Sequence, residues 1–62
     1  MKIKITKIAN ICPAPRIGEI LDVINTSEQF PEFIKTHGKM RYHAIYRNVE
    51  IVICESECEI IY

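Results

Sequence analysis

What this sequence lacks narrows it first. No apolar run approaches the ~20 residues that a membrane-spanning helix needs. Lys2, Lys4 and Lys7 interrupt the early isoleucines before a secretory core of ~7–15 apolar residues can form. Three cysteines, an odd number, do not make a closed disulfide framework. Together these absences point to a soluble protein of a reducing cytoplasm with its thiols free. There are only two glycines and no phosphate-cradling glycine loop, no H-E-x-x-H, and no serine, histidine and acid in a recognised nucleophile pattern. No repeat or low-complexity tract interrupts the chain. Residues 48–62 contain no base at all, only Glu50, Glu55, Glu57 and Glu59, whereas all eight Lys and Arg lie in residues 1–47. Net charge is zero, so this asymmetry sets a basic region against an acidic one, or lets neighbouring strands neutralise each other.

The residues able to hold a metal do not fall into a metal pattern. Cys12, Cys54, Cys58, His37 and His43 are the candidates, but structural zinc usually takes two close pairs of ligands. Cys54 and Cys58 meet only the loosest pair spacing, and Cys12 has no near partner. The cysteines read instead as small hydrophobes. Glu55, Glu57 and Glu59 should raise the pKa of adjacent thiols and suppress the reactive thiolate. Paired carboxylates occur only in the acidic turn, where solvation explains them. A chain this short is also expected to have little room for a concave pocket of several hundred Å³. The expectation is therefore a non-enzymatic protein with no cofactor and no metal.

What is present reads as β structure. Sixty-two residues sit near the lower limit for independent folding, where a core of this size typically gives ~3–5 kcal/mol. Isoleucine dominates the hydrophobic residues, and β-branched side chains favour pleated, half-buried surfaces. Met1–Ala9 alternates, with Ile3 and Ile5 on one side and Lys2, Lys4 and Thr6 on the other, as a half-buried strand does. Asn10–Arg16 carries two prolines and is a loop. Ile17–Asn25 is a second strand. Ile20 and Ile24 share a face with Asp22 while Leu21 and Val23 take the other, so a bulge or burial of both faces is expected.

Thr26–Gly38 is the only helix candidate, one to three turns over about residues 27–37. Thr26 with Gln29 fits a capping box, Pro31 competes as a first helical residue, and Gly38 suits a C-terminal cap. Phe30, Phe33, Ile34 and His37 share one helical face. Lys39–Arg47 alternates, with Met40, Tyr42, Ala44 and Tyr46 against Arg41, His43, Ile45 and Arg47. Val49–Cys54 follows after a two-residue turn at Arg47-Asn48, where Asn tolerates positive φ. Arg41 or Arg47 is expected opposite Glu50. Ser56–Glu59 reads as a tight turn before a last apolar strand, Glu59–Tyr62. The whole, residues 1–62, is read as one mainly β domain, a small barrel that removes exposed strand edges.

The opening MKIKITKIA, R-I-G-E-I-L-D-V at residues 16–23, the strand Tyr42–Tyr46 and the closing E-S-E-C-E-I-I at residues 55–61 carry a resemblance. In these the chain resembles small SH3-like barrel proteins encoded by bacteriophages and prophages of Gram-positive bacteria. The resemblance covers most of the chain and excludes Thr26–Gly38, which is longer than the corresponding loop. It implies a five-stranded SH3-like barrel. Most members have no assigned chemistry, and some short phage proteins of this size inhibit host factors or defence systems. The expected function is therefore docking onto a host or phage protein, with Phe30, Phe33, Ile34, Glu55, Glu57 and Glu59 as contacts and with self-association adding stability. One alternative is a nucleic-acid-binding barrel using Lys2, Lys4, Lys7, Arg41 and Arg47. Zero net charge and the placement of Tyr42 and Tyr46 opposite those arginines speak against it. A structural or accessory phage protein is a further alternative.

Overall fold

Alternation takes effect as five antiparallel strands in the computed structural model, which describes all of residues 1–62. They are β1 (Lys2–Ile5), β2 (Ile20–Glu28), β3 (Met40–Tyr46), β4 (Val49–Cys54) and β5 (Cys58–Ile61). All belong to one sheet of order β4-β3-β2-β1-β5. A 3-10 turn (Pro31–Phe33) running into α1 (Ile34–His37) lies between β2 and β3, and a second 3-10 turn (Glu55–Glu57) lies between β4 and β5.

The longest strand bends this sheet. β2 pairs with β1 through Ile20–Asp22 and with β3 through Val23–Glu28, so its two ends serve different partners. Its register with β3 slips between Val23 and Asn25, leaving Ile24 unpaired. A bulge of this kind bends the strand and raises its twist. The resulting curl brings Ile3 and Ile5 of β1 into one cluster with Ile51 and Ile53 of β4, three strand positions away. Leu21, Tyr42, Ala44 and Ala9 complete that cluster, with Val23, Met40, Tyr46, Cys58 and Ile60 packed against it. Full burial of an isoleucine side chain contributes ~1.5–3 kcal/mol, so the four isoleucines carry much of the stability. The sheet curls without closing, and β4 and β5 remain its edges. No helix is long and apolar enough to cross a membrane.

The bulge anticipated from Ile17–Asn25 is present, but burial of both faces is not, since Ile20 and Ile24 are exposed. The second strand also begins later and ends later than its pattern indicates. Thr26, Ser27 and Glu28 are not the start of a helix but pair with Tyr42, Arg41 and Met40. Ladder hydrogen bonds to a neighbouring strand outweigh a local capping box. The helical segment is therefore residues 31–37 rather than 27–37, with Phe30 as its extended cap residue and Pro31 opening it. Gly38 ends it at φ 85°, and a Cβ there would lie 2.6 Å from Glu55 Cβ. Only glycine fits that conformation and that approach.

The loop before β2 is held by Glu19. Its Oε2 accepts the Arg16 N–H at 2.6 Å and the Tyr46 hydroxyl at 2.9 Å. The Arg16 N–H, then the Tyr46 hydroxyl, hold the Glu19 carboxyl below its usual range, with nearby arginine charge adding to them and desolvation opposing. The β3–β4 hairpin turns at Arg47 and Asn48, both with positive φ (51° and 63°), as a two-residue primed turn requires. Glu50 does not meet Arg41 or Arg47. It stands in register with Ile45, its carboxylate lies 3.6 Å from His43 Nδ1, and the arginines stack on Phe30 and Tyr46 instead.

Candidate functional site

The outer face of β3 and β4 is the most chemically equipped surface. The excursion between β2 and β3 leaves at Gln29 and returns at Lys39, pinned by a 2.7 Å hydrogen bond from the Gln29 N–H to the Lys39 carbonyl. It folds towards the outer side chains of β3 and β4, leaving a groove of about 290 Å³ lined by Gln29, Phe30, Phe33, His37, Arg41, Val52 and Cys54. Phe30 and Phe33 are 57% and 43% exposed, so they wall the groove rather than plug the core. Their ring centres are 6.4 Å apart, His37 lies 5.8 Å from Phe33, and the Arg41 guanidinium stands 5.6 Å over Phe30. Ile34 is exposed but does not line the groove.

Gln29 is the anomaly in this groove. Its side chain is buried, with 8% of the residue exposed, and its Nε2 makes no hydrogen bond. The acceptor beside it is the Cys54 sulfur, a weak one, so the buried amide is left under-satisfied at a cost of up to ~1–3 kcal/mol. Beside it, burial pushes the Cys54 thiol up; the Gln29 amide opposes that shift and the Glu57 carboxylate adds to it. Cys58 is pushed further, to about 11, by burial first and then by Glu57 and Glu55. The glutamates act in the expected direction, but desolvation is the larger cause. Cys12 is exposed, no pair of cysteines is bonded, and no three His, Cys, Asp or Glu side chains converge.

The acidic residues do not form one free patch. Glu55 Oε2 accepts the N–H groups of Lys39 and Met40 at 2.7 and 2.9 Å, tying the return of the excursion to the turn after β4. Glu57 Oε1 accepts the Cys54 N–H at 2.9 Å and caps its own turn. Glu59 is exposed and in register with Lys4. The basic residues are equally dispersed: Lys2 lies 3.7 Å from Asp22, Lys7 follows β1, and Arg47 occupies the hairpin turn.

Sequence reasoning missed a diagonal that crosses three strands on this outer face. Ser27 Oγ lies 2.8 Å from His43 Nε2, and His43 Nδ1 lies 3.6 Å from Glu50 Oε2. Arg41, directly opposite Ser27, donates its Nε–H to Ser27 Oγ at 3.2 Å. Reading Thr26–Gly38 as a helix hid Ser27 from this face. Once Ser27 pairs with Arg41, and His43 with Val52, side chains two positions apart on adjacent strands become diagonal neighbours. A second, larger concavity of about 620 Å³ opens beside β5, lined by Met1, Lys2, Ile60, Ile61 and Tyr62. Open grooves therefore exist where the chain length led us to expect little room. Comparison of the chain with protein-family models, curated proteins and solved structures finds no match.

Proposed function

We propose that the chain is a non-enzymatic protein-binding module that docks through the groove between the helical excursion and the β3–β4 sheet. The observation that carries this is an open groove walled by two exposed phenylalanines, Phe30 and Phe33, with the Arg41 guanidinium over Phe30. A partner segment that presents an apolar side chain to Phe30 and Phe33 takes both rings out of water. An acid on that segment would meet Arg41. Ile34 is exposed on the excursion that walls the groove, Glu59 lies on β5 opposite Lys4, outside the groove lining, and the Glu55 and Glu57 carboxylates contribute by holding the groove's frame.

The resemblance extends this reading to an SH3-like barrel of phage or prophage origin acting in the host cytoplasm. Five antiparallel strands curled about one core support the fold part of it. Its most specific form is an inhibitor of a host protein, such as a defence effector. Self-association fits the same body, because β5 is an open sheet edge beside an apolar concavity. A concentration-independent monomer mass in sedimentation would remove that part.

The test is an affinity pull-down from bacterial lysate with the whole chain, run beside Phe33→Ala and Phe30→Ala. A partner retained by the native chain and lost from both folded variants supports docking at the groove; equal retention overturns it. Stacking of Arg41 on Phe30 is the one observation that favours nucleic acid instead. Salt-steep binding to random single- or double-stranded DNA would support that alternative, and no binding at low salt would eliminate it.

A further inference from the structure

Ser27, His43 and Glu50 stand in the order of a nucleophile, its base and the group that orients the base. The direction of the protons follows from the neighbours. Arg41 Nε–H can only donate to Ser27 Oγ, and the Glu50 carboxylate facing Nδ1 favours the tautomer whose bare Nε2, 2.8 Å from Oγ, accepts the hydroxyl proton. The imidazole proton then sits on Nδ1, facing the Glu50 carboxylate at 3.6 Å. His43 is well packed, with 19% of its side chain exposed, so its ring is held in place. The groove begins at the same residues, since Arg41 belongs to both and Val52 is the register partner of His43.

We propose that Ser27 is an activated nucleophile that accepts an acyl group from an ester whose apolar chain lies against Phe30, Phe33 and Val52. In the step, Ser27 Oγ bonds to the acyl carbon and its proton passes to His43 Nε2. The bond from that carbon to the leaving oxygen breaks, and His43 returns the proton to the departing alcohol. Arg41 stands next to Oγ, where negative charge develops on the acyl oxygen. Glu50 is a positioning residue that acts through His43. The reaction is stoichiometric acylation; it shares Phe30 and Phe33 with the docking reading, but its readout is a covalent adduct on Ser27, so either can fail without the other.

The full chain carries one other serine, Ser56, which serves as an internal reference. A fluorophosphonate probe, with adducts located by peptide mass spectrometry, should label Ser27 at least about tenfold faster than Ser56. Ser27→Ala should abolish that label, and His43→Gln should slow it by about tenfold or more, the scale of general-base assistance. Glu50→Gln should slow it several-fold, and Glu50→Asp should restore most of the rate. With 4-nitrophenyl butyrate, one equivalent of nitrophenolate and a butyryl adduct on Ser27 are expected, formed more slowly in Phe33→Ala. Labelling of Ser27 no faster than Ser56 overturns the proposal. So does unchanged labelling in a His43→Gln chain whose circular dichroism and melting match the native protein.

Discussion

The two faces of β3 follow different rules although their residues alternate along one strand. On the inner face Tyr42 and Ala44 are buried in the cluster, with Ile51 and Ile53 beside them. On the outer face Arg41 and His43 meet Ser27, Glu50 and Phe30 through hydrogen bonds, a 3.6 Å imidazole–carboxylate approach and a stacked ring. The inner face is held by area removed from water, which is non-directional and tolerates no polar intrusion. The outer face is held by directional contacts that each contribute ~0.5–1.5 kcal/mol. Fold stability and surface chemistry are thus separated by the pleat of a single strand.

Four measurements can break or sharpen that division. The largest effect belongs inside. Ile53→Ala empties a fully buried site and should cost ~2–5 kcal/mol, most of the stability of so small a core, as a loss of cooperative melting. An Ile53→Ala chain that melted within a few degrees of the native one would show that the core is not where the stability lies. Next is Gly38, where the excursion meets the Glu55 turn. Gly38→Ala forces a side chain onto positive φ and into Glu55, so denaturant titration should show a loss of ~1–3 kcal/mol. On the outer face, His43→Gln should cost no more than ~1 kcal/mol in the same titration while removing the Ser27 contact. A loss like that of Ile53→Ala would erase the distinction between the faces.

The smallest effect is a pH dependence. The Glu19 carboxyl is held below its usual value, so the folded chain favours its charged form. Its contribution is present above the unfolded pKa of ~4.3 and is lost as pH falls through the lower folded value. Glu19→Gln should lower the melting temperature at pH 7 and change it little in strong acid. The reverse pattern, an equal loss at both ends, would assign Glu19 a role independent of its charge. Cys58 has the opposite sign. With its folded pKa raised to about 11, the stability it adds is full below the unfolded thiol range and disappears as pH rises towards that value.

How much was legible differs by element. The hairpin of β3 and β4 was readable because period-two alternation and a turn residue suited to positive φ agree over residues 40–54. Ile3 and Ile5 were readable for the same reason, as were the outward Lys2 and Lys4 that alternate with them. The stretch from Ile17 to Gly38 was misread at both ends. Thr26 and Gln29 match a capping box locally, yet Thr26 is held by a strand partner sixteen residues away at Tyr42. Phe30, Phe33, Ile34 and His37 were read as one helical face, but Phe30 is extended and only it, Phe33 and His37 line the groove, because which surface they meet depends on where the excursion folds. Glu55 and Glu57 looked like a solvated acidic turn, whereas backbone donors that are distant or local claim both carboxylates.

By itself the sequence determined a mainly β chain, the side of β1, β3 and β4 that is buried and the position of the hairpin turn. These follow from patterns with a period of two, and such patterns are local. The tertiary structure alone decided that β2 exchanges partners at Val23, that the sheet curls without closing, and that Ser27, His43 and Glu50 share one diagonal. Those depend on register between strands. A bulge shifts register by one residue, and a local pattern of alternation carries no record of which residue lies across the ladder.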